Sequence, residues 1–376
     1  INRVCGPDEW NQFVNNNFYT NYTARWVMQY TLEVINEMRK EVPEKFKKVC
    51  EKIKFDLKET DRWKDIIEKM ILPFDKEMGV YVQDDMFLSM NPICREELDF
   101  EKDIPVDYKW TIERNAQFQM AKQADIILAM FLLRDNFSLD EKKNNYRFYE
   151  QRTGHGSSLS PCIHSIIASE VGRHNQAYEY YLYASRIDLD NRNNNTYEGL
   201  HISSMAGTWM NVVCGFGGMA YDGAMLKFAP VLPDQWQKFS FKVVYKGSVI
   251  KISVARDKVT YQVVSGKRVK AKMYDKEIEI TEKEQFVSLP ESFLKRPKLE
   301  AVILDLDGVV VDTAKFHYKA WKQMADAEGI YFDERINERL KGVGRMDSLM
   351  IIMERATKQY SQKQLEELAE KKNNSY

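Results

Sequence analysis

The stretch FSFKVVYKGSVIKISV, residues 239–254, divides the chain into regions of different fold. Apolar and polar residues alternate on both sides of its Lys-Gly step, and a period of two is typical of a strand with one buried face. Residues 260–264 continue the alternation. The pattern therefore predicts a small antiparallel β domain, which we assign to residues 228–292, with one compact sheet of about five strands.

The region before this sheet has a helical period instead. Apolar residues recur at steps of three and four over residues 21–60, 111–134, 159–185 and 199–222. This spacing is typical of helices that bury one side, and polar, turn-rich loops separate them. We therefore predict an all-α region over residues 1–227.

A third pattern follows a Pro- and Lys-containing linker, which we place at residues 293–298. The apolar run at residues 301–304 predicts a buried strand, and helical segments come after it. One strand followed by helices indicates the start of an α/β domain, assigned to residues 299–376. The predicted fold class is thus multidomain, with helices, a small sheet and the beginning of an α/β domain.

The amino-acid composition argues against some classes of binding partner. The chain of 376 residues has 55 Lys and Arg against 56 Asp and Glu, so we expect neither nucleic acid nor a membrane as partner. A mean hydropathy of -0.51 argues against a spanning helix. Five scattered cysteines indicate reduced, mostly buried thiols and a cytoplasmic location. Because the chain opens at Ile1, we expect it to be a fragment of a longer protein.

Two carboxylates directly follow the predicted strand of the third region, in the sequence Asp305-Leu306-Asp307-Gly308. Open α/β sheets bind ligands at this end of a strand. Asp305 can attack phosphorus, Asp307 can protonate a leaving oxygen, and both can hold Mg²⁺. A loop with two solvated acids is the alternative that a bare Asp-x-Asp leaves open.

The strings DLDGVVVDTAKFHYKAWK and LKGVGRMDSL resemble the first part of the β-phosphoglucomutases of the haloacid dehalogenase superfamily. The resemblance implies an α/β fold with a helical cap, a nucleophile at Asp305, a general acid/base at Asp307 and a Mg²⁺ site at both. It implies substrate contacts at His317, Lys341, Gly342, Arg345 and Ser348. It covers only residues 298–376 and lacks the later motifs of the family, so the mutase would be incomplete.

Three motifs in the helical region carry groups that suit a sugar and an anion. GPDEW at residues 6–10 presents two acids beside an indole, and an Asn- and Tyr-rich stretch follows it. KQAD at residues 122–125 places polar groups in a predicted apolar helix. GHGSSLS at residues 154–160 places hydroxyls and backbone N–H groups before a helix, where anions bind well. Taken singly, each motif also fits an ordinary turn, surface or helix cap.

The strings GPDEW, FVNNNFYTN, KQAD, HGSSLSPCIHS and GLHISSMAGTWMNVVCGFGGM, in this order, resemble the catalytic domain of the family 65 glycoside phosphorylases. The resemblance spans residues 1–285 and implies part of an (α/α)₆ toroid followed by a small β domain. It makes Glu9 the general acid. It assigns glucose binding to Lys122 and Gln123, and phosphate binding to His155, Ser157 and Ser158.

The carboxylates of this region favour phosphorolysis over hydrolysis. An inverting hydrolase needs a second carboxylate about 6.5–9.5 Å from the acid to activate water, whereas phosphate is itself a nucleophile. Residues 154–160 contain donors and no carboxylate. We therefore expect an α-linked glucose disaccharide to yield β-glucose 1-phosphate, which a fused mutase would convert to glucose 6-phosphate. The phosphorylase would need no cofactor, and the resemblance implies a homodimer.

Two other functions stay open at this point. A hydrolase of the same fold would require a carboxylate opposite Glu9, but Asp8 is adjacent to that acid and Glu150 lies before the loop. A catalytically incomplete carbohydrate-binding remnant is the second. Gly156 favours a kojibiose- or nigerose-type linkage, although one position leaves the acceptor sugar undecided.

Overall fold

The computed structural model describes residues 1–92, 117–221, 223–290, 314–340 and 342–374. The chain forms two compact units, residues 1–295 and residues 296–376. The first unit holds the predicted helical region and the predicted sheet. The second unit holds the predicted start of an α/β domain.

Three helices open the first unit: α1 (Phe18–Glu41), α2 (Pro43–Ile53) and α3 (Glu59–Lys69). The helix predicted over residues 21–60 is therefore divided. Pro43 lacks an N–H group and disfavours the helical conformation at Val42, which ends α1. Lys54 adopts a left-handed conformation with φ of 56°, which ends α2.

The other helices of this unit are α4 (Ile126–Leu132), α5 (Leu139–Glu150), α6 (Ser160–Glu170), α7 (His174–Arg186) and α8 (Ile202–Met210). A π-helical segment, Asn211–Phe216, continues α8. Short 3₁₀ turns lie at Phe87–Ser89, Arg134–Asn136 and Thr196–Glu198. The helix predicted over residues 159–185 is two helices, because Gly172 ends the first with φ of 84°.

The prediction of a helix over residues 111–134 is wrong for residues 117–125, which run as a loop into α4. Ala121 in this loop forms a parallel bridge with Thr153. Backbone groups that would bond within a helix are instead bonded to distant segments, so tertiary contacts override the apolar spacing.

One hydrophobic core joins the helices. Its fully buried side chains include Phe18, Ile127, Met130, Ile167 and Phe216, from α1, α4, α6 and the π-helical segment. Burial of such side chains is the main favourable term for packing helices together. The loops that carry the three motifs are therefore anchored on a common support.

The strands are β1 (Phe74–Asp75), β2 (Val80–Tyr81), β3 (Ala220–Tyr221), β4 (Leu226–Phe228), β5 (Lys238–Tyr245), β6 (Ser248–Ala255), β7 (Lys258–Ser265), β8 (Val269–Met273), β9 (Lys276–Ile280) and β10 (Gln285–Ser288). β1 and β2 form a separate antiparallel pair. The strands predicted within residues 239–254 and 260–264 are confirmed as β5, β6 and β7.

The prediction of a single sheet is wrong. The order β10-β7-β6-β5 forms one four-stranded antiparallel sheet, and β3-β4-β8-β9 forms a second, in which β4 and β8 are parallel. Side chains of both sheets, among them Phe228, Ile252 and Met273, share one core. The strands of the second sheet are short and rich in charge, which hides their pattern, and they begin before the predicted start at residue 228.

In the second unit the structure describes four helices: α9 (Ala314–Ala327), α10 (Glu334–Glu338), α11 (Arg345–Met353) and α12 (Gln362–Asn374). Trp321, Phe332 and Leu349 contribute to their own hydrophobic core. The predicted linker at residues 293–298 and the predicted strand at residues 301–304 lie outside the described residues.

Two expectations from composition are tested by the described residues. Cys5, Cys50, Cys162 and Cys214 are free thiols, but only Cys162 is buried, so the expected burial is wrong for most of them. Cys94 lies outside the described residues. Across the described part of the chain, none of the helices has the length and apolar character needed to cross a bilayer.

Candidate active site

The two acids of the first motif lie in different environments. We call residues 6–11 the acid loop. Asp8 is 1% exposed, whereas the Glu9 side chain is 57% exposed. Glu9 Oε2 lies 2.7 Å from Lys122 Nζ. Of two adjacent carboxylates, one is therefore part of the protein interior and the other is accessible to a ligand.

The Asp8 carboxylate accepts four hydrogen bonds. Its Oδ1 accepts from the Trp10 N–H at 3.2 Å and from the Lys122 N–H at 2.9 Å. Its Oδ2 accepts from the side-chain amides of Asn11 at 2.7 Å and of Gln83 at 2.8 Å. Burial raises the pKa of Asp8, and these donors act in the opposite direction. The carboxylate fastens the acid loop to two distant segments.

A second buried carboxylate supports the acid loop from the other side. Asp125 Oδ2 accepts from the Asp8 N–H at 3.4 Å and from the Asn17 amide at 3.1 Å. Burial raises the pKa of Asp125 to about 8, and the charge of Asp8 acts in the same direction. A Cβ at Gly6 would lie 2.6 Å from Asp125 Oδ2, so only glycine fits there.

The KQAD motif lies between the other two motifs. The Gln123 amide donates to the Pro7 carbonyl, and the Lys122 carbonyl accepts from the Gly156 N–H at 3.0 Å. Both side chains are half-buried. The contacts place Lys122 and Gln123 against the acid loop, where their proposed contact with glucose stays a prediction.

The third motif forms a loop before α6, which we call the serine loop, residues 153–160. His155 is 3% exposed, with φ of 52°. Its Nδ1 lies 2.9 Å from Ser160 Oγ and its Nε2 lies 3.0 Å from the Tyr180 hydroxyl, which donates to Glu150. Because both ring nitrogens have protein partners, His155 holds the loop from within and does not present a nitrogen on its surface.

Ser157 and Ser158 are half-buried and lie one turn before α6. The Leu159 N–H donates to Ser157 Oγ at 3.3 Å. The first N–H groups of a helix have no partner within it, and the helix dipole favours a negative charge there. A Cβ at Gly154 would lie 2.9 Å from the Trp10 ring, so the serine loop packs directly on the acid loop.

The structure brings the three motifs of the first unit together through direct hydrogen bonds. The alternative bases for a hydrolase are occupied: the Asp8 carboxylate is buried among four donors, and Glu150 accepts from Tyr180. The Asp8 carboxylate is therefore enclosed by the protein, and the Glu150 carboxylate is bonded to the tyrosine behind the serine loop. The geometry thus offers one exposed acid, one ammonium and a donor-rich loop.

Sequence reasoning missed several polar residues. Gln83 was not singled out, because its only signal is a contact that forms in the fold. Asp188 and His201 form a close pair, with 2.5 Å between Oδ1 and Nδ1, and this bond lowers the pKa of Asp188. His201 lies within one of the quoted strings, so its position was visible. Among the described residues, no group of three or more His, Cys, Asp or Glu side chains could hold a metal.

The residues predicted for the mutase part are described only in part. Asp305, Asp307 and Lys341 lie outside the described residues. His317 Nδ1 lies 3.1 Å from Lys372 Nζ. The positions of the remaining three differ: Gly342 and Arg345 are exposed, and Ser348 is buried with its hydroxyl donating to a backbone carbonyl at 3.3 Å. Their proposed contacts with phosphate and sugar stay predictions.

Two family profiles match the first unit. The glycosyl hydrolase family 65 central catalytic domain matches residues 1–210, and the family 65 C-terminal domain matches residues 219–280. The chain therefore belongs to glycosyl hydrolase family 65, as its motifs predicted. Helices α1–α8 lie within the first match and strands β3–β9 lie within the second.

Several curated relatives of the chain are disaccharide phosphorylases. They include an α,α-trehalose phosphorylase of Thermoanaerobacter brockii, 42% identical over 278 residues, and a maltose phosphorylase of Bacillus subtilis, 36% identical over 280 residues. A kojibiose phosphorylase of Caldanaerobacter subterraneus is 36% identical over 284 residues. Each match covers 74% of this chain and 36% of the relative. The chain thus spans little more than a third of their length.

A solved structure agrees with these relatives. It is described as a candidate kojibiose phosphorylase from human microbiome and aligns with a TM-score of 0.69 at 33% identity. The alignment covers 77% of this chain and 39% of the other. The fold of the first unit is therefore that of a family 65 protein.

Proposed function

We propose that this chain belongs to an inverting phosphorylase that cleaves an α-linked glucose disaccharide. The observation that carries the proposal is the pairing of one exposed acid, Glu9, with Lys122 beside a loop of donors. The names of the relatives support phosphorolysis of an α-glucoside. We further propose that α1–α8 belong to an (α/α)₆ barrel and that the protein is a cytoplasmic homodimer.

In the proposed reaction Glu9 gives its proton to the glycosidic oxygen while a phosphate oxygen attacks C1 from the opposite face. The bond between C1 and the glycosidic oxygen breaks, and the acceptor sugar leaves with a hydroxyl group. The proton that the bound phosphate then loses restores Glu9. Inversion at an α-glucoside gives β-glucose 1-phosphate.

Each remaining group of the site has a proposed role in this reaction. Lys122 and Gln123 contact the hydroxyls of the glucose that is transferred to phosphate. Ser157 and Ser158 bind phosphate together with the N-terminus of α6, whose dipole favours the anion. His155 supports this loop from its buried side through Ser160. No cofactor is required, because phosphate is a substrate.

Phosphate dependence tests the proposed function. The protein as its gene encodes it is incubated with trehalose, maltose, kojibiose or nigerose, with and without inorganic phosphate. We expect one of these sugars to be cleaved, with a rate at least tenfold higher in saturating phosphate. A rate that is the same without phosphate would assign the hydrolase function instead. The sugar that is cleaved also decides the linkage, which Gly156 alone leaves open.

We propose in addition that the second unit begins a β-phosphoglucomutase module that uses the phosphorylase product. The support is the Asp305-x-Asp307 sequence after an apolar run, the cap-side residues quoted above, and the chemical match between product and substrate. Mg²⁺ held by the two acids would neutralise charge on the transferring phosphoryl group. The family 65 matches end at residue 280, so this proposal depends on the sequence.

Replacing Asp305 by asparagine tests the mutase proposal. An amide is a poor nucleophile, so we expect conversion of β-glucose 1-phosphate to glucose 6-phosphate to fall at least about 10³-fold, while phosphorolysis stays within threefold. The change Asp326→Asn, at an exposed position on α9, serves as the control. Unchanged conversion in the Asp305 variant would remove the mutase assignment, and loss of both reactions would show that the modules depend on each other.

A further inference from the structure

Asp8, the buried carboxylate next to the acid, accepts hydrogen bonds from four donors. All four donors to Asp8 lie on three segments that meet at the site: the acid loop, Gln83 and the backbone of Lys122. Asp8 is 1% exposed, and so its carboxylate cannot contact a sugar. Asp8 can therefore affect the reaction only through the residues to which it is hydrogen-bonded.

Lys122 shows how this influence reaches the acid. The backbone N–H of Lys122 donates to Asp8 Oδ1, and the ammonium group of the same residue lies 2.7 Å from Glu9 Oε2. The Lys122 carbonyl accepts from the Gly156 N–H of the serine loop. Asp8 therefore fixes both the loop that carries the acid and the residue that pairs with it.

Close contacts leave the acid loop little room to shift. The backbone of Gly6 packs against Asp125, and the Trp10 ring packs against Gly154, with both contacts too short for a Cβ atom. The Asp8 N–H also donates to Asp125. The loop is thus held at its beginning, at its centre and at its end.

We propose that Asp8 is a positioning residue for the general acid: its four hydrogen bonds hold Glu9, Lys122 and the serine loop in the geometry needed for proton transfer to the glycosidic oxygen. The proposal rests on the proposed role of Glu9. Displacing a catalytic group by about 1 Å can lower a rate about 100-fold, so loss of these bonds is expected to reduce turnover without removing any group that contacts the substrate.

A positioning role predicts a dependence on the leaving group. A sugar oxygen needs a proton to leave, whereas fluoride leaves C1 as an anion without one. Phosphorolysis of α-glucosyl fluoride therefore requires phosphate and glucose binding but little help from the acid. A residue that only stabilises the fold would affect the two substrates equally.

The test compares Asp8→Asn with Asp84→Asn. In Asp8→Asn the side-chain NH₂ group takes the place of a carboxylate oxygen that accepts two hydrogen bonds. Because the NH₂ group is itself a donor, the two donors that pointed at this oxygen lose their acceptor. Asp84 is also fully buried, but its Oδ1 accepts from the Met86 N–H and its Oδ2 has no partner among the described residues. Asparagine keeps that bond, which makes Asp84→Asn a matched control with the same chemical change.

For Asp8→Asn we expect kcat with the disaccharide to fall about 100-fold and kcat with α-glucosyl fluoride to fall less than tenfold. Asp84→Asn should stay within threefold of the wild type on both substrates. The proposal is overturned if Asp8→Asn stays within threefold on the disaccharide, or if the folded variant loses the same factor on both substrates.

Glu9→Gln, measured beside these variants, separates this proposal from the proposed function. If Glu9→Gln does not show the same preference for the fluoride, the assignment of the acid is wrong. If it does and Asp8→Asn does not, only the positioning role is wrong. Should Asp8→Asn fail to fold, Gln83→Met removes one of the four bonds and keeps the carboxylate. We then expect a fall of at least fivefold on the disaccharide only, and an equal effect on both substrates overturns the proposal.

Discussion

Replacing Glu9 by glutamine is expected to lower kcat for phosphorolysis by about 10²–10⁴-fold, the range that a general acid contributes. Glutamine has nearly the same size, and its carbonyl oxygen can still accept from the Lys122 ammonium, which lies 2.7 Å from Glu9 Oε2. It has no proton to give to the glycosidic oxygen. The dissociation constant for the disaccharide should therefore stay within threefold of the wild type.

The control for this variant is Glu77→Gln, the same change at an exposed position between β1 and β2. It should leave kcat within twofold. Initial rates of phosphate-dependent sugar release measure turnover, and calorimetry of disaccharide binding measures affinity. Near-wild-type turnover of Glu9→Gln would show that another group supplies the proton.

Replacing Asp125 by asparagine is expected to make the free energy of unfolding less dependent on pH. The native pKa of Asp125 is raised to about 8 by burial, whereas an unfolded aspartate titrates near pH 3.9. Between these values the native state holds a proton that the unfolded state has released. The contribution of Asp125 to the free energy of unfolding therefore falls as pH rises from about 4 to about 8, by up to about 1.4 kcal/mol per pH unit.

Neighbouring acids act in the same direction. Burial raises the pKa of Asp84 to about 6 and also raises the pKa of Asp8, and the charge of each acts on Asp125. The free energy of unfolding of the wild type should therefore fall with rising pH more steeply than one carboxyl group explains. Replacing Asp125 by asparagine removes one titratable group. It should reduce this dependence on pH by the contribution of at most one proton.

Asparagine fits the Asp125 site because its carbonyl oxygen can keep both hydrogen bonds. Its NH₂ group replaces Oδ1, which has no partner in the described part of the chain. Urea denaturation at several values between pH 5 and pH 8 measures the effect, and Asp85→Asn, at an exposed neighbour of Asp84, is the control. Equal slopes for the wild type and Asp125→Asn would show that Asp125 is ionised in the native protein.

The sequence predicted the family and the division into helices and sheet because both depend on local pattern. The helix predicted through Lys122 failed because its backbone bonds to Asp8 and to Gly156, which lie far away in sequence. The single sheet failed for a related reason: β4 pairs with β8, and pairing between distant strands leaves no local signal.

The sequence showed which residue types the site contains, but it did not show the environment of each side chain. Asp8 and Glu9 are adjacent and have the same functional group, yet one is buried among donors and the other is exposed. His155 fitted an anion site by composition, whereas its ring is enclosed by Ser160 and Tyr180. Burial and hydrogen-bond partners come from tertiary contacts, so these roles required the structure.

The most direct test of the central claim is the anomeric form of the first product. The protein as its gene encodes it is mixed with its disaccharide and inorganic phosphate, and proton and phosphorus NMR spectra are recorded early, before the proposed mutase module converts the product. We predict β-glucose 1-phosphate, as a single displacement at an α-glucoside requires. Formation of α-glucose 1-phosphate, or of free glucose without a phosphate ester, would contradict inverting phosphorolysis with Glu9 as the acid.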